Sequence, residues 1–259
     1  MRTLKIVVCI KQVPDSEAKV VALNGQVSWG ASPLVINPFD EYAVEAGLLQ
    51  KEAQGGEVIA LCLGDESARD ALKHALAMGV DSAILLSDPA LKLIDSQGAA
   101  RTLAMAIQKI GAVEMVIFGR QTIDASTGLT TAQTARVLGW PMLALAGSIK
   151  VEAGKATVER VIEDGKQTVS SRLPAVVSVV QSIGEPRYPS FMGIRKASKA
   201  EIPIWTLAEL GMSAPTPIVS RTELLNPPNR NTTCEKISGN SPEEIAETLA
   251  EKILAEKVL

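Results

Sequence analysis

The chain has 259 residues, of which 46% are hydrophobic, and a formal net charge of -3. This length and apolar content suffice for one large α/β domain, or for one domain with an appendage. The slightly acidic balance and the 3% aromatic content argue against a nucleic-acid partner, which usually requires a basic face or stacking aromatic side chains.

Three widely spaced cysteines, Cys9, Cys62 and Cys234, fit neither a disulfide framework nor a zinc site and indicate a reducing compartment. The N-terminal stretch MRTLKIVVCIK has a short apolar run without a small-residue cleavage site, and later apolar runs are shorter than a membrane span. We therefore expect a cytoplasmic protein that does not insert into a membrane.

Short apolar runs alternate with helical patterns over the first part of the chain. Buried strands are predicted at Leu4 to Ile10, Glu57 to Leu63, Ser82 to Ser87 and Glu114 to Gly119. The helical patterns between them are DEYAVEAGLLQKEAQ, ESARDALKHALAMG and SQGAARTLAMAIQKIG, each ended or followed by glycine. This order predicts an α/β fold with a mainly parallel sheet and helices on both faces.

After Pro141, segments separated by EAG and EDG turns predict an antiparallel extension of the same sheet. These segments lie around Ile149 to Val151, Ala156 to Ile162, Gln167 to Ser171 and Ala175 to Val180. From Gly184 onward frequent prolines interrupt the pattern. We therefore predict a domain of residues 1–185 followed by an extended arm, residues 186–259.

The arm ends in SPEEIAETLAEKILAEKVL, which predicts an amphipathic helix. Ser241 would cap this helix, Pro242 suits its first position, and Glu244 lies three residues after the cap. Ile245, Leu249, Ile253 and Leu254 fall on one face. This apolar stripe has to be buried either on the same domain or on another chain.

Ligands of such sheets bind at the carboxyl ends of the strands. Four loops occupy this position: Lys11 to Asp15, Gly64 to Ser67, Ser87 to Ala90 and Gly119 to Thr127. The last belongs to the hydroxyl-rich stretch GRQTIDASTGLTT. A helix beginning near Thr127 would point free N–H groups and hydroxyls at a phosphate, and Gly128 would allow close approach. Asp124 would hold the loop by accepting N–H groups rather than face the phosphate.

The alternative for this stretch is ordinary helix capping, which composition alone slightly favours, since Ser, Thr and Asp are common at helix starts. The loop lacks the GxxxxGK[ST] and GxGxxG patterns, so neither an NTPase nor an ordinary dinucleotide fold is indicated. The single histidine, His74, lies in the middle of a predicted helix, and Cys9 has no histidine or cysteine partner to activate it. The sequence offers no evident acid, base or metal site.

Six stretches in chain order resemble the beta subunit of electron transfer flavoproteins. They are VVCIKQVPD (Val7 to Asp15), NPFDEYAVEAGL (Asn37 to Leu48), ALAMGVDSAILL (Ala75 to Leu86), FGRQTIDASTG (Phe118 to Gly128), VERVIEDG with LPAVVSV (Val158 to Gly165, Leu173 to Val179) and GEPRYPSFMGIRKASK (Gly184 to Lys199). The resemblance implies a Rossmann-like, adenine-nucleotide-binding fold in a heterodimer with a larger alpha subunit, which holds the redox-active FAD. The beta subunit would support that FAD and bind AMP or, in electron-bifurcating members, a second FAD.

Carried over position by position, the resemblance implies a nucleotide site built from the end of the first strand, the NPFD turn, the end of the second strand and the hydroxyl-rich loop. Its residues are Cys9, Asn37, Pro38, Phe39, Asp40, Leu63, Gly119, Arg120, Gln121, Thr122, Ile123, Asp124, Ala125, Ser126, Thr127, Gly128, Leu129 and Thr130. A plain Asn-Pro turn that caps a helix through Asp40 is also compatible with the NPFD sequence.

The hydroxyl-rich loop departs from the family pattern. Leu129, Thr130 and Thr131 stand where Gln, a small or β-branched residue and Gly usually follow. Gly128 replaces the Asn of AMP-binding loops, and Arg120 replaces Lys. The last two differences favour the bifurcating pattern, whereas the missing Gln and Gly fit neither type. The choice between AMP and a second FAD therefore stays open.

The stretch PSFMGIRKASK resembles the family's recognition loop, which docks into partner dehydrogenases. Phe191 would be its apolar anchor, with Met192, Arg195 and Lys196 beside it; packing of Phe191 on this protein's own surface is the alternative. The arm and the terminal helix would embrace the alpha subunit.

The implied function is electron shuttling between flavin-dependent dehydrogenases, such as acyl-CoA dehydrogenases, and a membrane or soluble acceptor. Two alternatives remain. One is an electron-bifurcating complex that oxidises NADH, and the other is a stand-alone nucleotide-binding module.

Overall fold

The computed structural model describes residues 4–220, 222–228 and 233–256. Residues 1–224 and 225–259 form two compact units. The helices are α1 (Pro38–Gln54), α2 (Arg69–Met78), α3 (Ser96–Ile110), α4 (Leu129–Leu138), α5 (Phe191–Ala197) and α6 (Pro242–Ala255). The strands are β1 (Leu4–Ile10), β2 (Gln12–Pro14), β3 (Val21–Leu23), β4 (Gln26–Ser28), β5 (Leu34–Ile36), β6 (Gly56–Leu63), β7 (Ser82–Leu86), β8 (Met115–Gly119), β9 (Met142–Glu152), β10 (Lys155–Ile162), β11 (Gly165–Arg172), β12 (Ala175–Val179) and β13 (Ile204–Trp205). None of the helices in these described ranges has the length and apolar character needed to cross a membrane.

A nine-stranded sheet forms the core of the first unit, in the order β11-β10-β9-β12-β8-β1-β6-β7-β13. β1 lies parallel to both β6 and β8. The chain moves outward in one direction from β1 through β6 to β7, and then crosses through α3 to β8 on the other side of β1. The carboxyl ends of β1 and β8 therefore form a topological switch point, where sheets of this type bind ligands.

Apolar side chains cover both faces of the sheet, as the strand patterns predict. Ile6 and Val8 of β1 belong to a core that includes residues of α1 and α2. Val7 and Cys9 point to the opposite face and belong to a second core, formed with α3 and α4. The predicted α/β fold, with a mainly parallel sheet and helices on both faces, is confirmed.

The antiparallel extension is present in β9, β10 and β11, but two of its details differ from the prediction. β9 begins at Met142, well before the predicted Ile149, and it contains Leu145 at the left-handed φ of 58°. β12 is parallel to both of its neighbours, β8 and β9, rather than antiparallel. The reason is that β11 ends beside the turn between β9 and β10. The chain therefore enters β12 at the end of the sheet where β8 also begins, and β12 runs in the same direction as β8.

The terminal helix α6 starts as the sequence predicts. Ser241 Oγ accepts a hydrogen bond from the backbone N–H of Glu244 at 3.2 Å, and Pro242 occupies the first turn. The Glu244 carboxylate in turn accepts from the N–H of Asn240 at 2.8 Å. Of the residues of α6, none is buried, and Leu254 of its apolar stripe is exposed. Residues 257–259 of the predicted helix lie outside the described residues.

Arg187 anchors the segment before α5 to α1. Its guanidinium donates two hydrogen bonds to the Glu45 carboxylate, both at 2.8 Å, and one to Glu52 at 2.6 Å. The two acceptors differ in exposure, since the Glu45 side chain is 7% exposed and that of Glu52 is 55% exposed. Helix α5 also packs directly on α2, because a Cβ at Gly193 would lie 2.2 Å from the carbonyl oxygen of Ala77.

The difference in exposure between Glu45 and Glu52 leads to a prediction for folding stability. Glu45→Gln should lower the free energy of unfolding by about 1–3 kcal/mol, because the Arg187 guanidinium then loses the charge of its buried, bidentate acceptor. The matched change Glu52→Gln removes a contact of the same Arg187 at the surface and should cost less than about 1 kcal/mol. Urea unfolding of both variants measures the difference, and equal losses would contradict it.

Candidate functional site

The residues that the family resemblance assigns to a nucleotide site lie on segments that meet at the carboxyl edge of the sheet. Cys9 near the end of β1 pairs with Leu61 of β6 and with Phe118 of β8. Leu63 and Gly119 are the last residues of β6 and β8. The NPFD turn opens α1, which follows β1 after the segment of residues 11–37 that contains β2 to β5. The fold thus brings all of these segments to the switch point.

Asn37 is completely buried and fixes the loop that follows β8. Its side-chain amide donates to the carbonyl oxygen of Gln121 at 2.9 Å, and its Oδ1 accepts from the backbone N–H of Ile123 at 3.1 Å. Its own backbone N–H donates to the carbonyl oxygen of Lys11 at 2.8 Å. Asn37 therefore joins the loops after β1 and β8, and its side chain does not cap α1.

Asp40 is buried directly beneath these loops. Its Oδ2 accepts the backbone N–H of Lys11 at 2.8 Å, and it also interacts with Asn37 and with the N–H of Gly119. Burial raises the pKa of this carboxyl from 3.8 to about 7, and the hydrogen bonds only partly oppose the rise. The simple capping interpretation of Asp40 is wrong, since its carboxylate binds the strand ends.

Gly119 is required by the close contact between β8 and α1. A Cβ at this position would lie 2.6 Å from Asp40 Oδ1 and 2.6 Å from the backbone carbonyl group of Phe39. Such distances leave no room for any side chain. The NPFD turn and the end of β8 therefore touch through their backbones.

The loop from Arg120 to Gly128 forms an exposed turn that leads into α4. Ser126 adopts a φ of 54° and donates its N–H to Thr122 O at 2.8 Å. Gly128 has the left-handed φ of 61°, and α4 begins at Leu129, two residues after the predicted Thr127. Within the described part of the chain, no side chain caps the first turn of α4. Ordinary capping therefore does not explain the hydroxyl-rich sequence.

The hydroxyl groups of this region serve two purposes. Thr131 and Thr134 are buried, and Thr134 Oγ1 donates to the carbonyl oxygen of Thr130 at 2.8 Å. Ser126 and Thr127 are exposed on the loop itself. The first pair stabilises the packing of α4, whereas the second pair is accessible to a ligand.

An ion pair connects the loop after β1 with the loop after β8, and the sequence did not indicate this contact. The Lys11 ammonium lies 2.5 Å from Asp124 Oδ2. Burial alone would raise the pKa of Asp124, but hydrogen bonds from Lys11 and Thr122 and the charge of Lys11 outweigh it and hold this pKa below its ordinary value. Asp124 thus connects its loop to the Lys11 ammonium, whereas the prediction was that it would accept N–H groups. The only sequence signal was the position of Lys11 immediately after β1.

Cys9 is not arranged as a nucleophile. Burial, together with the negative charge of Asp40 and the neighbouring Cys62, raises the pKa of its thiol well above the ordinary value. The thiol therefore stays protonated and packs as a small apolar group. Across the ranges that the structure describes, no group of three or more His, Cys, Asp or Glu side chains is placed to hold a metal ion.

The residues predicted to bind a partner lie on α5, at a separate surface. Phe191 is 82% exposed and Met192 is 68% exposed. Arg195 and Lys196 are exposed on the same short helix. Phe191 therefore does not pack on this protein's own surface, and the alternative interpretation is wrong.

The raised pKa of Asp40 predicts a pH dependence of stability. Between pH 3.8 and about 7 the folded state holds a proton at Asp40 that the unfolded state has released, so the free energy of unfolding falls as the pH rises through this window. Between pH 5 and pH 8 the loss from this one group should be roughly 3 kcal/mol.

Asp40→Asn removes this titration and supplies the control. The stability of the wild-type protein relative to the variant, measured by urea unfolding at several pH values, should decline from pH 5 to pH 8. A difference that does not change with pH would contradict the assigned role of Asp40.

Comparisons with known proteins identify the family of this chain. The electron transfer flavoprotein domain matches residues 30–210. The chain is 35% identical to the caffeyl-CoA reductase-Etf complex subunit CarD of Acetobacterium woodii, over 99% of this chain and all of that protein. It is 33% identical to the electron transfer flavoprotein subunit beta of Megasphaera elsdenii over the same shares, and 40% identical to that of Mycobacterium leprae over 80% of each chain. The chain therefore belongs to the electron transfer flavoprotein family, among its beta subunits.

Proposed function

We propose that this chain forms a cytoplasmic heterodimer with an electron transfer flavoprotein alpha subunit. In this complex it binds an adenine nucleotide, either AMP or a second FAD, and supports the FAD of the alpha subunit. The heterodimer carries electrons between flavin-dependent dehydrogenases, such as acyl-CoA dehydrogenases, and a membrane or soluble acceptor. We assign nucleotide binding to residues 1–185, and we assign the recognition loop and the arm that holds the alpha subunit to residues 186–259.

The observation that carries this proposal is the uncapped start of α4 at the switch point. Gly128 turns the chain into α4 without a side-chain cap, so the first N–H groups of the helix are available for a phosphate. A side chain at Gly128 would be unfavourable, since its Cβ would lie only 3.3 Å from the carbonyl oxygen of Arg120 and the φ of 61° favours glycine. Leu129 is exposed and contributes no hydrogen bond where the family has Gln. The phosphate would therefore depend on backbone N–H groups and on the exposed hydroxyls of the loop.

These residues fit an adenine nucleotide. The loop from Gly119 to Thr130 would hold the phosphates, and the NPFD turn, Cys9 and Leu63 would line the remainder of the site at the strand ends. The FAD of the alpha subunit supplies the electron-carrying chemistry when it is bound. The buried bonds of Asn37 and Asp40 keep the loop in one conformation, so that binding requires little ordering of the chain.

A second candidate is an electron-bifurcating complex that oxidises NADH and holds a redox-active FAD in this subunit. The similarity to CarD favours it, because the name of that relative places it in a complex with a reductase. Gly128 in place of the Asn of AMP-binding loops also favours it, as the resemblance implies. A stand-alone nucleotide-binding module is less well supported, since the family match over residues 30–210 includes the exposed α5 and the similarity to the beta subunit of Megasphaera elsdenii covers 99% of this chain.

The cofactor content of the complex tests the proposed function. The chain is coexpressed with its alpha subunit, the copurified complex is treated with acid, and the released FAD and AMP are quantified per heterodimer. One FAD with one AMP identifies a simple electron shuttle, whereas two FAD and no AMP identify the bifurcating form. A complex with the single FAD of the alpha subunit and no further nucleotide would contradict nucleotide binding by this chain.

We expect Phe191 to anchor a partner dehydrogenase on α5. Truncation of an exposed aromatic anchor commonly costs more than about 1 kcal/mol of binding, so Phe191→Ala should lower the rate of electron transfer from the cognate dehydrogenase by about fivefold or more at limiting concentrations. Leu93→Ala is the matched control, because Leu93 is 89% exposed but lies outside α5. An unchanged rate for Phe191→Ala would exclude the anchor.

A further inference from the structure

The ion pair of Lys11 and Asp124 joins the two loops between which we propose the phosphate site. Lys11 follows β1 and Asp124 lies in the loop after β8, so the 2.5 Å contact joins the two sides of the switch point. The side chains are 42% and 29% exposed, which places the pair at the surface of the site rather than in the core. A ligand that enters between the two loops would therefore meet this pair.

The backbone of Lys11 is held by two hydrogen bonds, whereas its side chain is held only through the terminal ammonium group. The N–H of Lys11 donates to Asp40 Oδ2 at 2.8 Å, and its carbonyl oxygen accepts from Asn37 at 2.8 Å. The ammonium is held by Asp124, a partly exposed contact of a kind that contributes little to stability. The side chain can thus change partners without any movement of the strand or the loops.

Asp124 and a phosphate would compete for the same cation. Asp124 lies in the turn whose next residues lead to the start of α4, and its lowered pKa keeps it ionised at neutral pH. An ionised carboxylate beside a phosphate is unfavourable unless a cation lies between them. Lys11 is in a position to supply this cation, because it already contacts the carboxylate.

We propose that Asp124 is an internal competitor that occupies Lys11 until the phosphate of the nucleotide takes its place. Lys11 is then a phosphate-binding residue, and Asp124 is a positioning residue that weakens binding and makes the nucleotide exchangeable. This inference rests on the proposed function, since it assumes a phosphate at the start of α4. It adds a determinant of affinity that lies outside the loop's backbone N–H groups.

The direction in which Asp124→Asn changes the nucleotide affinity separates this proposal from a purely structural role of Asp124. If Asp124 only tethers the loop, Asp124→Asn weakens nucleotide binding, because the loop loses its anchor. If Asp124 competes with the phosphate, the same substitution frees Lys11 and tightens binding. The gain should be about threefold to fivefold, the equivalent of one exposed ion pair.

The experiment is calorimetric titration of the nucleotide-stripped heterodimer with AMP and, separately, with adenosine, which lacks the phosphate. We expect Asp124→Asn to tighten AMP binding about threefold to fivefold and to leave adenosine binding unchanged. Lys11→Gln should weaken AMP binding roughly tenfold, and Lys11→Arg should restore most of this loss. If the wild-type complex holds FAD, FAD and riboflavin replace AMP and adenosine.

A matched control separates competition from the general charge of the surface. Asp164→Asn removes the same charge from the exposed turn between β10 and β11, which lies outside the four loops at the strand ends. It should leave AMP binding unchanged. Weaker or unchanged AMP binding in Asp124→Asn, or an equal effect on adenosine binding, would overturn this inference and leave the proposed function standing. A wild-type complex that binds none of these ligands would overturn the proposed function itself.

Discussion

The structure depends most on the buried turn from Asn37 to Asp40, which connects segments that are far apart in the sequence. The Asn37 side chain bonds to the backbone at Gln121 and Ile123, and Asp40 accepts the N–H of Lys11. Buried polar groups are costly unless their hydrogen bonds are made, so these contacts favour one arrangement of the two loops. The turn therefore gives the switch point a defined shape.

Helix α1 extends this constraint across the domain. Its first turn holds the loops at the proposed nucleotide site, and Glu45 further along the helix binds Arg187, which precedes α5. One helix thus positions both the loop proposed to bind the nucleotide and the exposed apolar side chains proposed to meet a partner. Gly119 makes this possible, since any side chain there would separate α1 from β8.

The alternation of apolar runs and helical patterns was sufficient to predict the parallel sheet, because local periodicity reports which faces are buried. The rule that ligands bind at strand ends then selected the loops that we propose as the nucleotide site. The pair of Lys11 and Asp124 could not be predicted, since its residues are 113 positions apart and only the fold brings them together. The parallel direction of β12 was missed because it depends on where the chain re-enters the sheet after β11, beside the start of β8, and local periodicity does not report that position.

The central claim is that the backbone at the start of α4 holds the phosphate of a nucleotide. A crystal structure of the heterodimer with its natural nucleotide tests this claim most directly. We expect phosphate oxygens within hydrogen-bond distance of backbone N–H groups between Ala125 and Thr130, with the Asn37 bonds to the loop unchanged. A nucleotide bound elsewhere on this chain, with these N–H groups facing solvent, would contradict the account.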